Sequence, residues 1–232
     1  MTNVYHITKF PDSSAYLFFY GCNWDCEFCI LKKSRYDIHS EKIDFKGINF
    51  LEISDIIKIL NDNKIKEVFL GGGEPTLDRE LIDLIKILKN LGIKINLLTN
   101  GELLTYEIVE LSDRISFSIK TLDREKHIKI TKRDNTKSLE NLKRLVNEKF
   151  TFETVYSENM LGCDNSYEIS KFISGLIENP ILRIDMMIEV SPNFPRPSEK
   201  SVDKCIEKIN NELNVRAFRI KSSEKNAIQI YP

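Results

Sequence analysis

Long apolar segments are absent from this 232-residue sequence. No run approaches the roughly 20 residues that a membrane-spanning helix needs, so we expect no membrane partner. A dominant charge is also absent, because 34 Lys and Arg nearly balance 35 Asp and Glu and leave a formal net charge of −1. A near-neutral chain without a basic stripe interleaved with aromatic residues does not indicate a nucleic-acid partner.

Cysteine is scarce, with five residues in the chain, and a chain of this length does not depend on disulfides to complete its core. The amino terminus lacks the basic and then apolar order of a secretory signal. We therefore expect a cytoplasmic protein with reduced thiols. Cys163 and Cys205 stand far from each other and from the other three, so no second metal cluster is expected. Cys205 is predicted to be a small buried apolar residue on a helix, and Cys163 a surface or packing residue, with a thiol near the substrate as the alternative.

Short apolar runs alternate with amphipathic helical segments along the chain. The strands are predicted at 15–20, 67–70, 93–98, 115–119, 151–156, 181–190, 215–221 and 227–231. This alternation predicts an α/β fold with a mostly parallel sheet covered by helices. About six βα units are too few for the eight that close a full barrel, so we expect a partial (β/α)6 TIM-like barrel.

The domain organisation follows from length and from the lack of linkers. Hydrophobic residues make up 41% of the chain, which is enough for one core. We expect a single domain over residues 1–232, with a core at about 15–192 and a short C-terminal β extension at about 193–232, whose two strands lie around a polar turn.

Unusual residues follow four of the predicted strands. They are the cysteines after 15–20, the glycines 71–73 after 67–70, the Thr99-Asn100-Gly101 segment and the Ser118–Lys120 segment. Because chemistry in such folds is placed where strands end and βα loops begin, we expect these four segments to form one site.

Cys22, Cys26 and Cys29 follow the spacing C-x3-C-x2-C. Thiolates this close on one loop can bind one metal centre. One alternative is a zinc ion with His39 as the fourth ligand. A [4Fe–4S] cluster held by only three cysteines would instead leave one iron open to a substrate or cofactor.

The cysteine segment Gly21–Cys29, followed by Gly72-Gly73-Glu74-Pro75, resembles the radical S-adenosylmethionine (radical SAM) superfamily. The resemblance implies a partial barrel of the radical SAM type in which Cys22, Cys26 and Cys29 ligate a [4Fe–4S] cluster. The open iron would chelate the amino and carboxylate groups of S-adenosylmethionine. An electron from a donor such as flavodoxin or ferredoxin would then cleave this cofactor to a 5′-deoxyadenosyl radical that abstracts hydrogen, which makes the chain an oxidoreductase.

The same resemblance assigns roles to neighbouring residues. Phe28 would pack near the adenine, with a core phenylalanine as the alternative. Gly72 and Gly73 would let the methionine moiety approach the backbone, and Glu74 would face its ammonium group. A turn before a helix is the alternative interpretation of these residues, and Gly71 is predicted to be turn geometry only.

A narrower resemblance, over roughly residues 15–145, is to the glycyl-radical-enzyme activating enzymes. Four segments carry it: Tyr36-Asp37-Ile38-His39, Leu97–Gly101, Ser118-Ile119-Lys120 and His127–Leu142. It implies that Thr99 and Asn100 line the cofactor site, that Ser118 binds its ribose, and that Lys120 pairs with its methionine carboxylate as a further catalytic residue.

Several residues depart from that family's pattern. Leu98 and Ser118 replace two aspartates that help to hold a monovalent cation, so this cation site is expected to be missing or rebuilt. Ile30 replaces a histidine, Lys132 replaces the glycine of a Thr-Gly pair, and the segment 191–194 lacks a histidine often found near its strand. These departures weaken the narrower assignment and leave the superfamily assignment intact.

Two classes of function follow. The first is a radical enzyme, acting either on a glycine of a glycyl radical protein partner or on a small molecule, as 7-carboxy-7-deazaguanine synthase does. The second is an electron-transfer module, which would not need residues that bind the methionine part of a cofactor. From Lys120 to Lys149 there are ten Lys and Arg against five Asp and Glu, which is typical of a solvated face or of a surface that docks an acidic partner.

Overall fold

The computed structural model describes residues 1–36, 47–190, 192–221 and 227–231. In this part of the chain, nine strands form one sheet. The strands are β1 (Val4–Lys9), β2 (Ser14–Phe19), β3 (Glu67–Gly72), β4 (Lys94–Thr99), β5 (Arg114–Ser118), β6 (Phe150–Tyr156), β7 (Ile181–Met186), β8 (Arg216–Phe218) and β9 (Ile228–Tyr231).

Helices fill the connections between the parallel strands. They are α1 (Ile53–Asp62), α2 (Leu81–Asn90), α3 (Tyr106–Leu111), α4 (Arg124–Thr131), α5 (Thr136–Leu145), α6 (Cys163–Ser174) and α7 (Glu199–Glu212). Side-chain caps fix several starts: Thr105 accepts from the backbone N–H of Ile108, and Ser198 accepts from that of Ser201. None of the described helices is long and apolar enough to cross a bilayer.

The strand order across the sheet is β8-β7-β6-β5-β4-β3-β2-β1-β9. Strands β2 to β8 pair in parallel, each beside the next in sequence, whereas β1 is antiparallel to both β2 and β9. The predicted mostly parallel sheet and partial barrel are therefore confirmed. The helix-filled connections place the carboxyl ends of the parallel strands along one edge of the sheet.

The two faces of the sheet differ in chemistry. One row of register partners, Leu17, Leu70, Leu97, Ile115 and Phe150, is buried against the helices in the main core. The opposite face, which we call the barrel interior, carries Ser118, Glu153 and Arg183 in another row of partners. The helix side thus supplies apolar burial, and the interior is left for polar groups.

The structure corrects four local predictions. The strand β1 at the amino terminus was not predicted, because its pattern continues into the next strand without a helix between them. The helix α4 was also missed. The strand β7 ends at Met186 and not at Val190.

The fourth correction concerns the C-terminal extension. The sequence predicts two terminal strands around a polar turn, whereas β8 pairs with β7 and β9 pairs with β1. The two strands therefore lie at opposite edges of the sheet. An edge strand with an unpaired backbone offers hydrogen bonds to any segment that reaches it, and nothing in the local pattern selects which edge is used.

Candidate active site

The four segments singled out from the sequence do meet at the carboxyl edge of the sheet. We call this set the rim: the cysteine loop Gly21–Cys29, Gly72–Glu74, Thr99-Asn100 and Ser118–Lys120. The backbone N–H of Glu74 donates to the carbonyl of Gly21 at 2.8 Å. The side-chain amide of Asn100 donates to Asn23 Oδ1 at 2.8 Å and lies 3.9 Å from the sulfur of Cys22. These bonds join three loops from three different strands.

Glu74 is buried and holds two segments of the rim together. One carboxylate oxygen accepts from the hydroxyls of Thr76 and Thr99 at 2.6 and 2.7 Å, and the other accepts from the backbone N–H of Asn100 at 2.7 Å. Burial raises the pKa of Glu74, and these donors oppose the rise. The described structure thus gives Glu74 a positioning role, whereas its predicted contact with an ammonium group stays a prediction.

The three glycines serve three different purposes. Gly71 lies inside β3 and is not a turn, and a side chain there would clash with the hydroxyl of Tyr16. Gly72 has φ +97°, which a residue with a side chain rarely adopts. A side chain at Gly73 would collide with the carbonyl of Gly21, so this glycine lets the rim pack against the cysteine loop.

The three cysteines of the loop are free thiols. Cys22 is exposed, and Cys26 and Cys29 are partly exposed. Although Cys22 is exposed as a whole residue, its sulfur lies among neighbouring protein atoms, and this burial raises the pKa of the thiol to about 12. The backbone N–H of Trp24 donates to the sulfur and opposes the rise, and the charges of Glu74, Cys26 and Cys29 add to it. Burial also raises the pKa of Cys26, while the nearby charge of Lys120 opposes it.

Among the described residues, no group of three or more His, Cys, Asp or Glu side chains is arranged around a single metal ion. A zinc ion needs its sulfurs about 2.3 Å from one centre, whereas a [4Fe–4S] cluster spreads three thiolates over three irons. Three free thiols within one short loop, Cys22 to Cys29, therefore fit the donor set of the cluster. His39, the fourth ligand of the zinc alternative, lies outside the described residues, as does Asp37.

The cysteine loop rests on the end of helix α4. The backbone N–H groups of Asp25 and Glu27 donate to the carbonyls of Thr131 and Ile130 at 2.9 and 2.8 Å. These are carbonyls that the last turn of a helix leaves without partners. The side chain of Arg133 also donates to the carbonyl of Asn23 at 2.9 Å. A helix missed in the sequence therefore fixes the loop that carries the cysteines.

Trp24 fastens the same loop through its ring. Its indole N–H donates to Glu102 at 2.6 Å, and its ring stands edge-on to that of His127, with centroids 4.5 Å apart. His127 Nδ1 lies 2.7 Å from the carbonyl of Arg133, so the proton is on Nδ1. Its Nε2 is buried without a hydrogen-bond partner among the described residues, and burial lowers the pKa of His127.

Ser118 and Lys120 stand together at the end of β5, where the ammonium of Lys120 donates to the hydroxyl of Ser118. The backbone carbonyl of Lys120 accepts from the amide of Asn165 at 2.9 Å. The charge of Lys120 lowers the pKa of Cys26, so Lys120 lies near the cysteine loop. The pair therefore lies between the cysteines and the barrel interior, and its predicted contacts with a ribose and a carboxylate stay predictions.

Phe28 is buried in a small apolar cluster, edge-on to Phe194 with ring centroids 5.1 Å apart. Ile130, Leu161 and Met187 complete this cluster. Thus the phenylalanine between the last two cysteines connects the loop to the segment after β7. Contact with an adenine at this residue stays a prediction.

Cys163 and Cys205 form a disulfide, with Cα atoms 5.4 Å apart. The expectation that they are separate and reduced is therefore wrong. They begin α6 and lie on α7, two helices that pack together, and 42 residues of sequence separate them. Sequence distance hid this contact, because only the return of the chain across one more strand brings α7 beside α6. The predicted burial of Cys205 is confirmed.

Sequence reasoning missed several residues at the site. Asn23, Trp24 and Glu102 position the cysteine loop, and the first two stood inside the recognised motif. Charged residues of the barrel interior were also missed. The signal for them was available: in FTFETVY of β6, the single charged residue occupies one of the positions that alternate away from the core.

Comparison with known proteins adds to this geometry. Residues 16–172, more than half of the chain, match the sequence profile of the radical SAM superfamily. The chain belongs to the radical SAM superfamily. Its cofactors are those of the family, a [4Fe–4S] cluster and S-adenosylmethionine, as expected from the cysteine spacing and the rim.

Curated relatives of this radical SAM protein carry different names. A protein of Methanocaldococcus jannaschii, provisionally named a glycyl-radical enzyme activating enzyme, is 32% identical over 163 residues, which cover 67% of this chain and 60% of that protein. The GTP 3′,8-cyclase of Clostridium perfringens is 32% identical over 174 residues, which cover 69% of this chain and 50% of that protein. This chain thus spans between half and two thirds of the length of these two relatives.

Solved structures show the same fold. SuiB of Streptococcus suis bound to S-adenosylmethionine matches with a TM-score of 0.64 and 20% identity over 87% of this chain and 48% of that chain. A domain of the pyruvate-formate lyase-activating enzyme of Bacteroides vulgatus matches with a TM-score of 0.55 and 21% identity over 66% of this chain and 98% of that chain. Both support the partial barrel.

Proposed function

We propose that this radical SAM protein cleaves S-adenosylmethionine reductively and uses the product radical for hydrogen abstraction. The observation that carries the proposal is the hydrogen-bonded rim, in which Glu74 and Asn100 tie the strand ends of β3 and β4 to the loop of three free thiols. An electron-transfer module would not need such a joined rim. Preorganised polar groups of this kind place a cofactor without further rearrangement.

The cluster, when bound, would supply the electron for reductive cleavage of S-adenosylmethionine. The residues of the chain would bind and orient these two cofactors. Cys22, Cys26 and Cys29 would hold the cluster, and Lys120 would pair with the methionine carboxylate. Gly72 and Gly73 would present backbone groups to the methionine moiety, and Thr99, Asn100 and Ser118 would line the ribose side.

For the substrate, we propose a backbone glycine of a glycyl radical protein. The M. jannaschii relative and the pyruvate-formate lyase-activating enzyme domain support this role, and SuiB has also been solved with its precursor peptide SuiA. A partial barrel has an open side, through which an extended segment can enter. The glycine Cα would have to come within about 3–3.5 Å of the 5′ carbon.

A small polar substrate is the second candidate. The charged side chains of the barrel interior favour it, and the GTP 3′,8-cyclase of C. perfringens is a relative of similar identity. Such an enzyme would form 5′-deoxyadenosine rapidly with a purified metabolite and no protein partner.

The first test measures the cluster and the cleavage. Anaerobically reconstituted protein should contain about four irons and four sulfides per chain and should convert S-adenosylmethionine to 5′-deoxyadenosine with dithionite. Cys22→Ala, Cys26→Ala and Cys29→Ala should each lose both. A Cys163→Ala/Cys205→Ala double variant is the matched control and should keep both. Stoichiometric zinc without sulfide would contradict the proposal.

The second test separates the two substrates. Reduced enzyme, S-adenosylmethionine and a candidate glycyl radical protein should give a glycine-centred doublet in electron paramagnetic resonance. A doublet that is absent with every candidate protein, together with rapid turnover of a purified metabolite, would exclude the activating role and favour the small-molecule role.

A further inference from the structure

Three charged side chains face the barrel interior beside the rim, level with Ser118 or beyond it, and have no part in the proposed cofactor chemistry. Arg183 on β7 donates through Nη2 to Glu153 on β6 at 2.5 Å and through Nε to Asp185 at 3.0 Å. Ser116 donates to the same oxygen of Glu153 at 3.4 Å. We call Glu153, Arg183 and Asp185 the interior triad.

Charged groups are unusual in the middle of a βα barrel, which bulky aliphatic side chains normally fill. Removing ions from water is costly unless they are fully paired. In the interior triad the side chains keep 16% (Glu153), 26% (Arg183) and 38% (Asp185) of their exposure. The triad therefore faces open space inside the barrel, where a ligand can reach it.

The interior triad is connected to the rim through Ser118 and Lys120. The sheet register places Ser118 beside Glu153 and Glu153 beside Arg183. Burial works to raise the pKa of Glu153, but Arg183, Lys120 and the hydroxyls of Ser118 and Ser116 together hold it below its usual value. Because the charge of Lys120 is also felt by Cys26, a molecule in contact with the triad lies close to the cofactor.

The charges of the triad do not balance. Within the triad one guanidinium serves two carboxylates. Lys120 adds a positive charge nearby, but its ammonium donates to the hydroxyl of Ser118. Glu153 is supported by hydroxyls as well as by Arg183, whereas in the described structure Asp185 forms its ion pair with Arg183 alone and is the most exposed member. Its burial and the charge of Glu153 raise the pKa of Asp185 against the pull of Arg183 and Lys120. Asp185 therefore presents partly exposed acceptor oxygens to the interior, and among the described residues only Arg183 is bonded to them.

We propose that the interior triad is a substrate-recognition site and that Asp185 binds a protonated amine of the substrate, with Glu153 and Arg183 holding the carboxylate in place. The ammonium can come from a lysine side chain of a peptide or from a small amine. The inference rests on the proposed function only in that it places the substrate beside the rim. Tyr16, whose hydroxyl lies over Gly71 and near enough to act on Arg183, borders the same space.

Two sets of probes test the site on the reconstituted protein with S-adenosylmethionine present. The first set is three dye-labelled peptides, Ala-Ala-Gly-Xaa-Ala-Ala with blocked ends, in which Xaa is lysine, acetyl-lysine or norleucine. Fluorescence anisotropy should show that the lysine peptide binds about tenfold more tightly than the other two, since a charged hydrogen bond in a partly buried site is worth that factor or more. Asp185→Asn should remove the preference.

Glu67→Gln is the matched control. Glu67 is a carboxylate on the same sheet face as Phe69 and Gly71, but at the other end of β3, where it accepts from Asn96 at 2.7 Å. This variant changes the net charge as Asp185→Asn does and should keep the lysine preference. Equal binding of the three peptides, or a preference that survives Asp185→Asn, would overturn the inference.

The second set is n-butylammonium, n-butanol and butyrate, detected by saturation-transfer NMR. Butylammonium should bind to the wild type and not to the Asp185→Asn variant, whereas butanol and butyrate should bind to neither protein. Butylammonium binding without any peptide binding would keep the site and exclude a peptide substrate. Butyrate binding in place of butylammonium, or no binding by either the lysine peptide or butylammonium, would overturn the inference. Cleavage of S-adenosylmethionine, measured in the same samples, reports on the proposed activity separately.

Discussion

Glu74 shows how one buried carboxylate can organise a site. Its oxygens accept from Thr76, Thr99 and Asn100, which belong to two strand ends. Four donors around two oxygens favour the ionised form of Glu74. The stabilisation from these hydrogen bonds is lost if one oxygen is protonated or is replaced by an NH₂ group.

Glu74→Gln should therefore destabilise the protein by about 1.5–3 kcal/mol and weaken S-adenosylmethionine binding, because the amide NH₂ would face a backbone or hydroxyl donor. Urea denaturation and a cofactor titration measure the two effects. Glu80→Gln is the control, since Glu80 pairs with the amino terminus at the surface and should contribute little. Loss of cofactor affinity without loss of stability would instead favour the direct ammonium contact predicted from the sequence.

His127 is a second residue whose chemistry is set by its surroundings. Burial lowers its pKa, and the buried Nε2 has no acceptor to receive a second proton. The unfolded chain then takes up this proton at a higher pH than the folded chain, so the free energy of unfolding falls as pH drops below about 6.5.

His127→Asn removes the titration and keeps an amide donor where Nδ1 reaches the carbonyl of Arg133. Denaturation midpoints at pH 7.5 and 5.5, followed by circular dichroism, should fall more for the wild type than for this variant. Parallel decreases in the two proteins would show that His127 does not contribute to acid sensitivity.

At the scale of elements, the end of α4 determines where the cysteine loop lies. The helix ends at Lys132 with φ +59°, the left-handed conformation that glycine adopts without strain. Lys132 stands where the activating-enzyme pattern has glycine, and it adopts this conformation at a conformational cost.

Lys132→Gly should raise stability by about 0.5–1 kcal/mol, or roughly 1–4 °C in Tm, because the relief of backbone strain exceeds the cost of the larger conformational entropy that glycine gives the unfolded chain. Calorimetry of the two proteins checks this. Lys129→Gly is the matched control on the same helix and should lower stability by about 1 kcal/mol. A decrease in Tm for Lys132→Gly would mean that the bond from Lys132 Nζ to the carbonyl of Lys129 outweighs the strain.

At the scale of the whole molecule, the net charge is near zero, but one part of the surface is positively charged. Lys129, Lys132 and Arg133 are exposed at the end of α4, directly beside the cysteine loop. An acidic electron donor such as a flavodoxin would be steered to this patch, because a donor must approach the cluster closely and opposite charges raise the association rate.

The rate of cluster reduction by flavodoxin hydroquinone should therefore fall steeply between low salt and 0.5 M NaCl, and Lys129→Glu should lower it several-fold at low salt. Stopped-flow absorbance measures the rate. Lys58→Glu makes the same change of net charge on the exposed face of α1 and should leave the rate close to that of the wild type. Equal effects of the two reversals would indicate that only net charge matters.

The sequence by itself determined the features that depend on short spacing. Cys22, Cys26 and Cys29 lie within one loop, and strand ends of a parallel sheet share an edge, so the thiols, the glycines and Ser118–Lys120 had to meet once the βα alternation was recognised. The family match confirms the superfamily assignment and the fold. The single domain over residues 1–232 stays a prediction of the same kind.

The tertiary structure decided the contacts between residues far apart in sequence. Glu153, Arg183 and Asp185 meet because the register of β6 and β7 aligns them on one face, and the Cys163–Cys205 disulfide forms because α6 and α7 pack side by side. The opposite edges taken by β8 and β9 are of the same kind. Local propensity and spacing do not predict strand register or helix packing, because both depend on how the whole sheet is buried against its helices.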